Sequence, residues 1–292
     1  FSSAGDKGWD SPMVYGTIIA GVIGLIILVV RQALIDKPML DFRVYKYPMF
    51  ALSSAIAIVI NMAMFSAMIL MPIYLQTLRG ISPFHSGLLM LPGAIIMGIM
   101  SPITGKLFDK FGGRLLAIIG LSITVATTYF FYNLSIDTEY SSLIVLYSVR
   151  MLGMSMVMMP VVTNGMNSLP ARLNPHGTAI NNTLNQVSAA IGSALLVSVM
   201  SSRAKQHAEE LTAKAMQNLT EQPDAQTLAN MKAEIGIQAT LNGINDAFFV
   251  AFFIAILALV LAFFIKKPKR ADESAPIQSK ANNKSLSPHA ER

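Results

Sequence analysis

The sequence predicts an all-α, polytopic membrane helix bundle, and three observations carry that prediction. Of its 292 residues, 53% are hydrophobic and only 13% are charged, about half the charge of an ordinary soluble domain; the mean hydropathy is +0.53. Seven stretches, residues 13–30, 50–71, 86–104, 115–132, 142–162, 179–200 and 247–265, run for about 18 residues or more with few charges. Each is long enough, as a helix, to cross a hydrocarbon core of about 30 Å. The stretches are apolar on every side, whereas a lipid-facing barrel strand alternates apolar and polar positions.

Taken in order, residues 1–12 (FSSAGDKGWDSP) read as an external loop entering the first span. The chain begins at Phe1 without an initiator Met or a secretory leader, and an external start then needs a preceding membrane region to deliver it. The expectation is a fragment whose remaining part holds an odd number of spans if its own N-terminus is cytoplasmic. Residues 13–200 are expected to form six transmembrane helices. The first connection contains KPMLDF at 37–42, a mixture of apolar and charged residues that suits a short interfacial helix or a plain linker. Residues 201–245 are rich in Ala, Gln, Lys and Glu, with Met, Leu and Ile at helical spacing. A long solvated external loop is expected there, with amphipathic helices as the alternative. Residues 246–265 form the last span, and 266–292 a polar, disordered cytoplasmic tail.

Orientation follows from Lys and Arg in the connections. With 105–114 on the cytoplasmic side, fifteen basic residues lie inside and six outside, and Arg150 falls within a span. The N-terminus of the chain is thus expected outside and the C-terminus inside. The net charge of +6 is a topology signal that calls for no nucleic acid. Cysteine is absent, which excludes disulfides, thiolate metal sites and cysteine nucleophiles.

Within the spans, Arg150 stands out. It lies about 12 Å along its helix from Ser142, and such a charge costs at least ~2.5 kcal/mol unless it meets a cavity or a partner. A substrate-pathway role is expected, with snorkelling to the outer interface as the bland alternative. No span offers an embedded acid suited to carrying a proton, and His85 sits only at the mouth of the third. The sixth span carries Asn181, Asn182, Asn185, Gln186, Ser188, Gly192 and Ser193. Its amides serve either as interhelical glue or as a cavity lining with both donors and acceptors. Pro92 and Pro160 are candidate helix hinges. Residues 105–114, GKLFDKFGGR, form a glycine-rich connection of both charge signs between two spans. Asp109 is expected near the start of the following helix, where the dipole favours an anion, with Arg114 paired to it. A lock of this kind suits a two-state switch and points to a transporter.

These residues resemble the major facilitator superfamily in its fourteen-span drug:proton antiporter branch, the EmrB/QacA type. GKLFDKFGGR is similar to that superfamily's loop motif at Gly105, Leu107, Asp109, Gly112 and Arg114. PMLDF at 38–42, the run from Pro72 to Pro92, RMLGMSMVMMP at 150–160 and NTLNQ at 182–186 resemble the branch. There is a further likeness to lincomycin-resistance exporters. The sequence departs from many members at Asn185, where they carry a basic residue. The resemblance implies spans eight to fourteen of a multidrug exporter of the bacterial plasma membrane, driven by the proton gradient without a cofactor. Its partners would be the bilayer, hydrophobic or cationic drugs, protons and the N-terminal half, which would carry the proton site. It also implies a gate at Gly105, Asp109, Gly112 and Arg114, and a substrate cavity lined by Arg150, Asn182, Asn185 and Gln186. A carrier for one metabolite is the runner-up. An intramembrane enzyme ranks far behind, because neither a His-Glu-x-x-His nor a Gly-x-Ser-x-Gly pattern occurs.

Overall fold

The computed structural model describes residues 12–35, 40–217 and 224–266. Within them are α1 (Pro12–Leu34), α2 (Pro48–Ile73), α3 (Pro83–Phe111), α4 (Gly113–Tyr132), α5 (Tyr140–Met166), α6 (Asn174–Gln217) and α7 (Ala225–Ala262). Among the described residues there is no strand, so the fold is all-α. Short 3₁₀ turns, Phe42–Lys46 and Ala171–Leu173, precede α2 and α6, and a π-turn at Tyr74–Leu78 prolongs α2. The first places a short helix at the end of the expected KPMLDF connection, while residues 37–39, the start of the chain and the expected disordered tail from 267 onward lie outside the described residues.

Local chemistry sets the helix starts. Pro48 and Pro83 occupy the first turns of α2 and α3, where their missing N–H costs nothing. Ser82 caps α3 by accepting from the His85 N–H, and Asp224 caps α7 by accepting from the Thr227 N–H at 3.0 Å.

Helices α2 to α7 are each long and apolar enough to cross a membrane; the apolar stretch described in α1, Tyr15–Gly24, is shorter. Against the expected seven spans, six are found by this measure among the described residues. Among the described side chains of α1, large apolar ones from Tyr15 to Leu34 are 49–79% exposed. In the bundle, α2 is central and packs on α5, α6 and α7; α4 sits between α5 and α7, and α3 lies against α5.

The packing surfaces are made of small residues. In α7, Ala247, Ala251, Ala255, Ala258 and Ala262 are fully buried, while Phe249, Phe253, Leu257 and Val260 point outward. Burying alanines and exposing large side chains suits lipid as solvent, where close packing rather than water exclusion drives association. Where α4 crosses α5, a Cβ placed on Gly120 would lie 2.5 Å from the Gly153 carbonyl oxygen, and one on Gly153 would lie 2.8 Å from that of Gly120. Two glycines face each other because nothing larger fits.

The expected external loop at 201–245 is corrected by the structure: residues 201–217 continue α6 and 225–245 open α7. Ala, Gln, Lys and Glu are strong helix formers, and the pair shields its own apolar seam. At 44 and 38 residues, α6 and α7 are about 66 and 57 Å long, well beyond a ~30 Å hydrocarbon core. Their overhanging parts lie side by side as a helical hairpin. A Cβ on Gly243 would meet the Met200 carbonyl oxygen at 2.5 Å and Ala204 Cβ at 2.9 Å.

Candidate functional site

The 105–114 motif is a corner between helices and not a loop. Helix α3 continues through Asp109 to Phe111, α4 begins at Gly113, and only Gly112 breaks the run. Gly112 has φ 80° and ψ 163°, a conformation open essentially to glycine alone, and its N–H donates to the Phe108 carbonyl at 2.8 Å. Gly113 leaves room for the Phe108 ring, and Gly105 brings α3 against the Met159 methyl of α5. Asp109 therefore sits in the last turn of α3, on the exposed surface, and not at the start of α4. The expected Asp109–Arg114 pair is not formed: among the described residues the ion pairs are Arg43–Asp41, Arg203–Asp246 and His207–Asp246. The corner turns both side chains outward, leaving each to solvent or to a surface beyond this bundle. Beside them opens a cleft of about 720 Å³ lined by Asp109, Arg114, Asn164, Asn167 and Lys266. Buried Asn164 donates to the Lys266 carbonyl at 3.3 Å and ties the end of α5 to the chain leaving α7.

Arg150 is placed differently from either sequence reading. It is 0% exposed, donates to Thr128 Oγ1 of α4 and to the Ala63 carbonyl of α2 at 2.7 Å, and lies 6.0 Å from the Phe131 ring centre. It neither snorkels nor joins the amides of α6; it cross-links three helices inside the bundle. A guanidinium can do this because its planar fork serves two acceptors at once.

Helix α6 divides into two faces. Ile180, Ser188, Ala189, Gly192 and Leu196 are buried, and Gly192 lets α6 approach so close that its Cβ would lie 2.6 Å from Met62 Cα of α2. Thr178, Asn182, Gln186 and Ala190 are exposed, and Asn185 is half-buried between the faces. Thus Ser188 and Gly192 belong to the packed face, whereas Asn182 and Gln186 present amides outside the bundle, within the apolar stretch 179–200. Asn185 is held by a partner not among the expected site residues: Asn61 of α2 donates to Asn185 Oδ1 at 2.8 Å. An amide in the midst of an apolar run is the signal that marks it.

Pro92 and Pro160 lie inside α3 and α5, which run through them unbroken. Next to Pro92, Gly93 is a packing position, because a Cβ there would lie 2.7 Å from the Tyr147 ring. At the far end of the bundle the α4–α5 connection is pinned by three side chains, two from the end of α2 and one from α7. Tyr74 donates to the Ser135 carbonyl at 2.6 Å, Arg79 to that of Thr138, and Asn245 to that of Leu134 at 3.0 Å. There, His207 Nε2 lies 3.0 Å from Asp246 Oδ2, with Arg203 at 3.8 Å. Among the described residues no group of three His, Cys, Asp or Glu side chains is placed to hold a metal ion.

Six membrane-length helices among the described residues, a glycine corner and a stripe of amides on α6 define a polytopic membrane helix bundle. The profile of the Major Facilitator Superfamily matches residues 3–193, and the chain belongs to that superfamily. It is 44% identical over 290 residues to YhcA of Bacillus subtilis, described as an uncharacterized MFS-type transporter; the match covers 92% of this chain and 54% of that one. It is 42% identical over 269 residues to the lincomycin resistance protein LmrB of Listeria monocytogenes, covering 92% and 54%. Its identity to the tetracenomycin C resistance and export protein of Streptomyces glaucescens is 23% over 288 residues, covering 92% and 53%. The chain spans about half the length of the curated relatives it matches. Of these three relatives, one is named as a transporter and two are named for drug resistance, one of them also for export.

Proposed function

We propose that this chain is the C-terminal half of a fourteen-span, proton-driven multidrug exporter of the bacterial plasma membrane, its N-terminus outside and its C-terminus cytoplasmic. The observation that carries this reading is the stripe of α6: Asn182 and Gln186 are exposed within the apolar stretch 179–200, where surrounding lipid would leave their amides unsatisfied. Facing a wet cavity shared with the other half satisfies them, and a midplane site between halves is where alternating-access transporters bind substrate. Arg150 is the only charged residue buried among the described ones. This half thus contributes structure and cavity wall, and the proton-carrying acid belongs to the other half. The relatives named for lincomycin and tetracenomycin resistance support amphiphilic drugs as cargo. At the cytoplasmic end, exposed Asp109 and Arg114 on the Gly112 corner act as a gate by meeting the other half in one conformation and releasing it in the second.

The test is efflux of lincomycin and ethidium from cells expressing the complete gene, with and without an uncoupler, beside an Asp109→Asn variant. Efflux that collapses with the uncoupler and falls at least about tenfold in the variant is the expected result. Absence of efflux for every drug tried, with the protein present in the membrane, overturns the reading in favour of a carrier for a single metabolite.

A further inference from the structure

We propose that Asn61 is a positioning residue: it turns Asn185 so that the Asn185 amide N–H₂ faces the transport cavity, making this wall select compounds that carry hydrogen-bond acceptors. The proposal rests on the exporter reading only for the statement that the exposed stripe of α6 faces a cavity.

An oxygen that can only accept sets the arrangement. Asn61 Nδ2 lies 2.7 Å from the Ala57 carbonyl, and a carbonyl at that distance demands a donor, which settles which end of the Asn61 amide is nitrogen. The same nitrogen lies 2.8 Å from Asn185 Oδ1. Both Asn61 amide protons are now spent, one on its own helix and one across to α6. Asn185 must meet the second with oxygen, since two N–H₂ groups cannot pair. Its own N–H₂ is therefore released to the half-exposed side, next to exposed Asn182 and Gln186. Asn61 is 3% exposed and cannot itself touch a compound in the cavity. It acts through Asn185, which it fixes as a donor where an isolated amide would offer either end.

The chemical consequence is a preference. A donor held in place rewards carbonyl, ether and hydroxyl oxygens on the bound compound, and contributes nothing to a cation that lacks acceptors. One hydrogen bond to a neutral group corresponds to about a five- to tenfold change in affinity. No carboxylate lies among the polar residues of this face, so attraction for a positive charge has to come from elsewhere in the transporter.

The experiment uses the full-length transporter in nanodiscs and two probes. Radiolabelled lincomycin is rich in carbonyl, ether and hydroxyl oxygens; tetraphenylphosphonium is a cation with no hydrogen-bonding group. Asn185→Leu and Asn61→Leu are each expected to weaken lincomycin binding about five- to tenfold and to change tetraphenylphosphonium binding less than twofold. Asn185→Asp keeps an oxygen for Asn61 but replaces the donor with an anionic acceptor, so it should tighten the cation by about fivefold or more. Unchanged lincomycin affinity in Asn185→Leu overturns the proposal. So does an equal loss of both probes in Asn61→Leu with neither changed in Asn185→Leu, since Asn61 would then be only a packing residue. If Asn61→Leu does not fold, the two Asn185 variants decide the matter alone. A wild type that binds the cation but not lincomycin refutes this proposal and leaves the exporter reading standing, whereas one that binds neither refutes both.

Discussion

Gly120→Ala tests the α4–α5 crossing on which the bundle depends. The added methyl would lie 2.5 Å from the Gly153 carbonyl oxygen and 2.5 Å from Val157 Cγ2, against an ordinary contact of about 3.5–4.0 Å. The first of these atoms is backbone and cannot rotate away, so the helices must part by about 1 Å. Overpacking of this kind costs about 1–3 kcal/mol. At roughly 2–4 °C per kcal/mol for a chain of comparable size, the melting temperature should fall by about 2–12 °C. Parting the helices also draws Thr128 away from Arg150, which donates to it across the same interface. The assay is thermal unfolding of the purified full-length protein in detergent, followed by intrinsic fluorescence. Gly236→Ala is the control: nothing lies within 4 Å of a Cβ there, and the change should stabilise by up to about 1 kcal/mol through helix propensity alone. Combining Gly120→Ala with Gly153→Ala should cost less than the two single changes added together, because the helices need to separate only once. If Gly120→Ala melts like the wild type, or gains stability as Gly236→Ala does, the close crossing is refuted.

Gly112→Ala forces an L-residue into a conformation that costs about 1–3 kcal/mol; efflux should fall in the complete transporter, while Gly105→Ala, whose methyl meets only the flexible end of Met159 at 3.3 Å, should remain near wild type. Arg150→Lys keeps the charge but loses the fork that reaches both Thr128 and the Ala63 carbonyl; the expected loss of about 1.5–3 kcal/mol is readable as a lower melting temperature. Hydrogen exchange should show protected amides across 201–217 and 229–245, the paired overhangs of α6 and α7, and full exchange there within seconds would restore the solvated loop. The Asp224 carboxyl is held below its usual range by hydrogen bonding to Thr227, side chain first and then backbone. A depressed folded-state pKa stabilises the first turn of α7 above the unfolded value of 3.8 and is lost as pH falls through the lower folded value. Exchange at 225–228 should therefore quicken as pH is lowered through that window, relative to the intrinsic rate, and Asp224→Ala should remove the dependence.

Hydrophobic composition and run length by themselves determined that this chain is an all-helical membrane bundle, because a lipid solvent leaves so few ways to satisfy a backbone that about 18 apolar residues admit little but a helix. The GKLFDKFGGR pattern marked the turn between two spans, and the amides of the sixth span marked the helix with a polar face. What each such residue faces was not legible. Arg150 read as a pathway residue because an intramembrane charge usually serves one; its burial between Thr128 and the Ala63 carbonyl depends on α2 and α4, which are distant in sequence. Asp109 and Arg114 looked paired at a spacing of five, yet with the glycine corner at Gly112 between them both are exposed on one cleft and form no ion pair. The stretch 201–245 looked solvated because its composition is polar, yet two polar helices side by side shelter a seam that neither has alone. Spacing along one chain records what a helix can present; which neighbour receives it is decided by packing, since lipid offers apolar side chains no direction of their own.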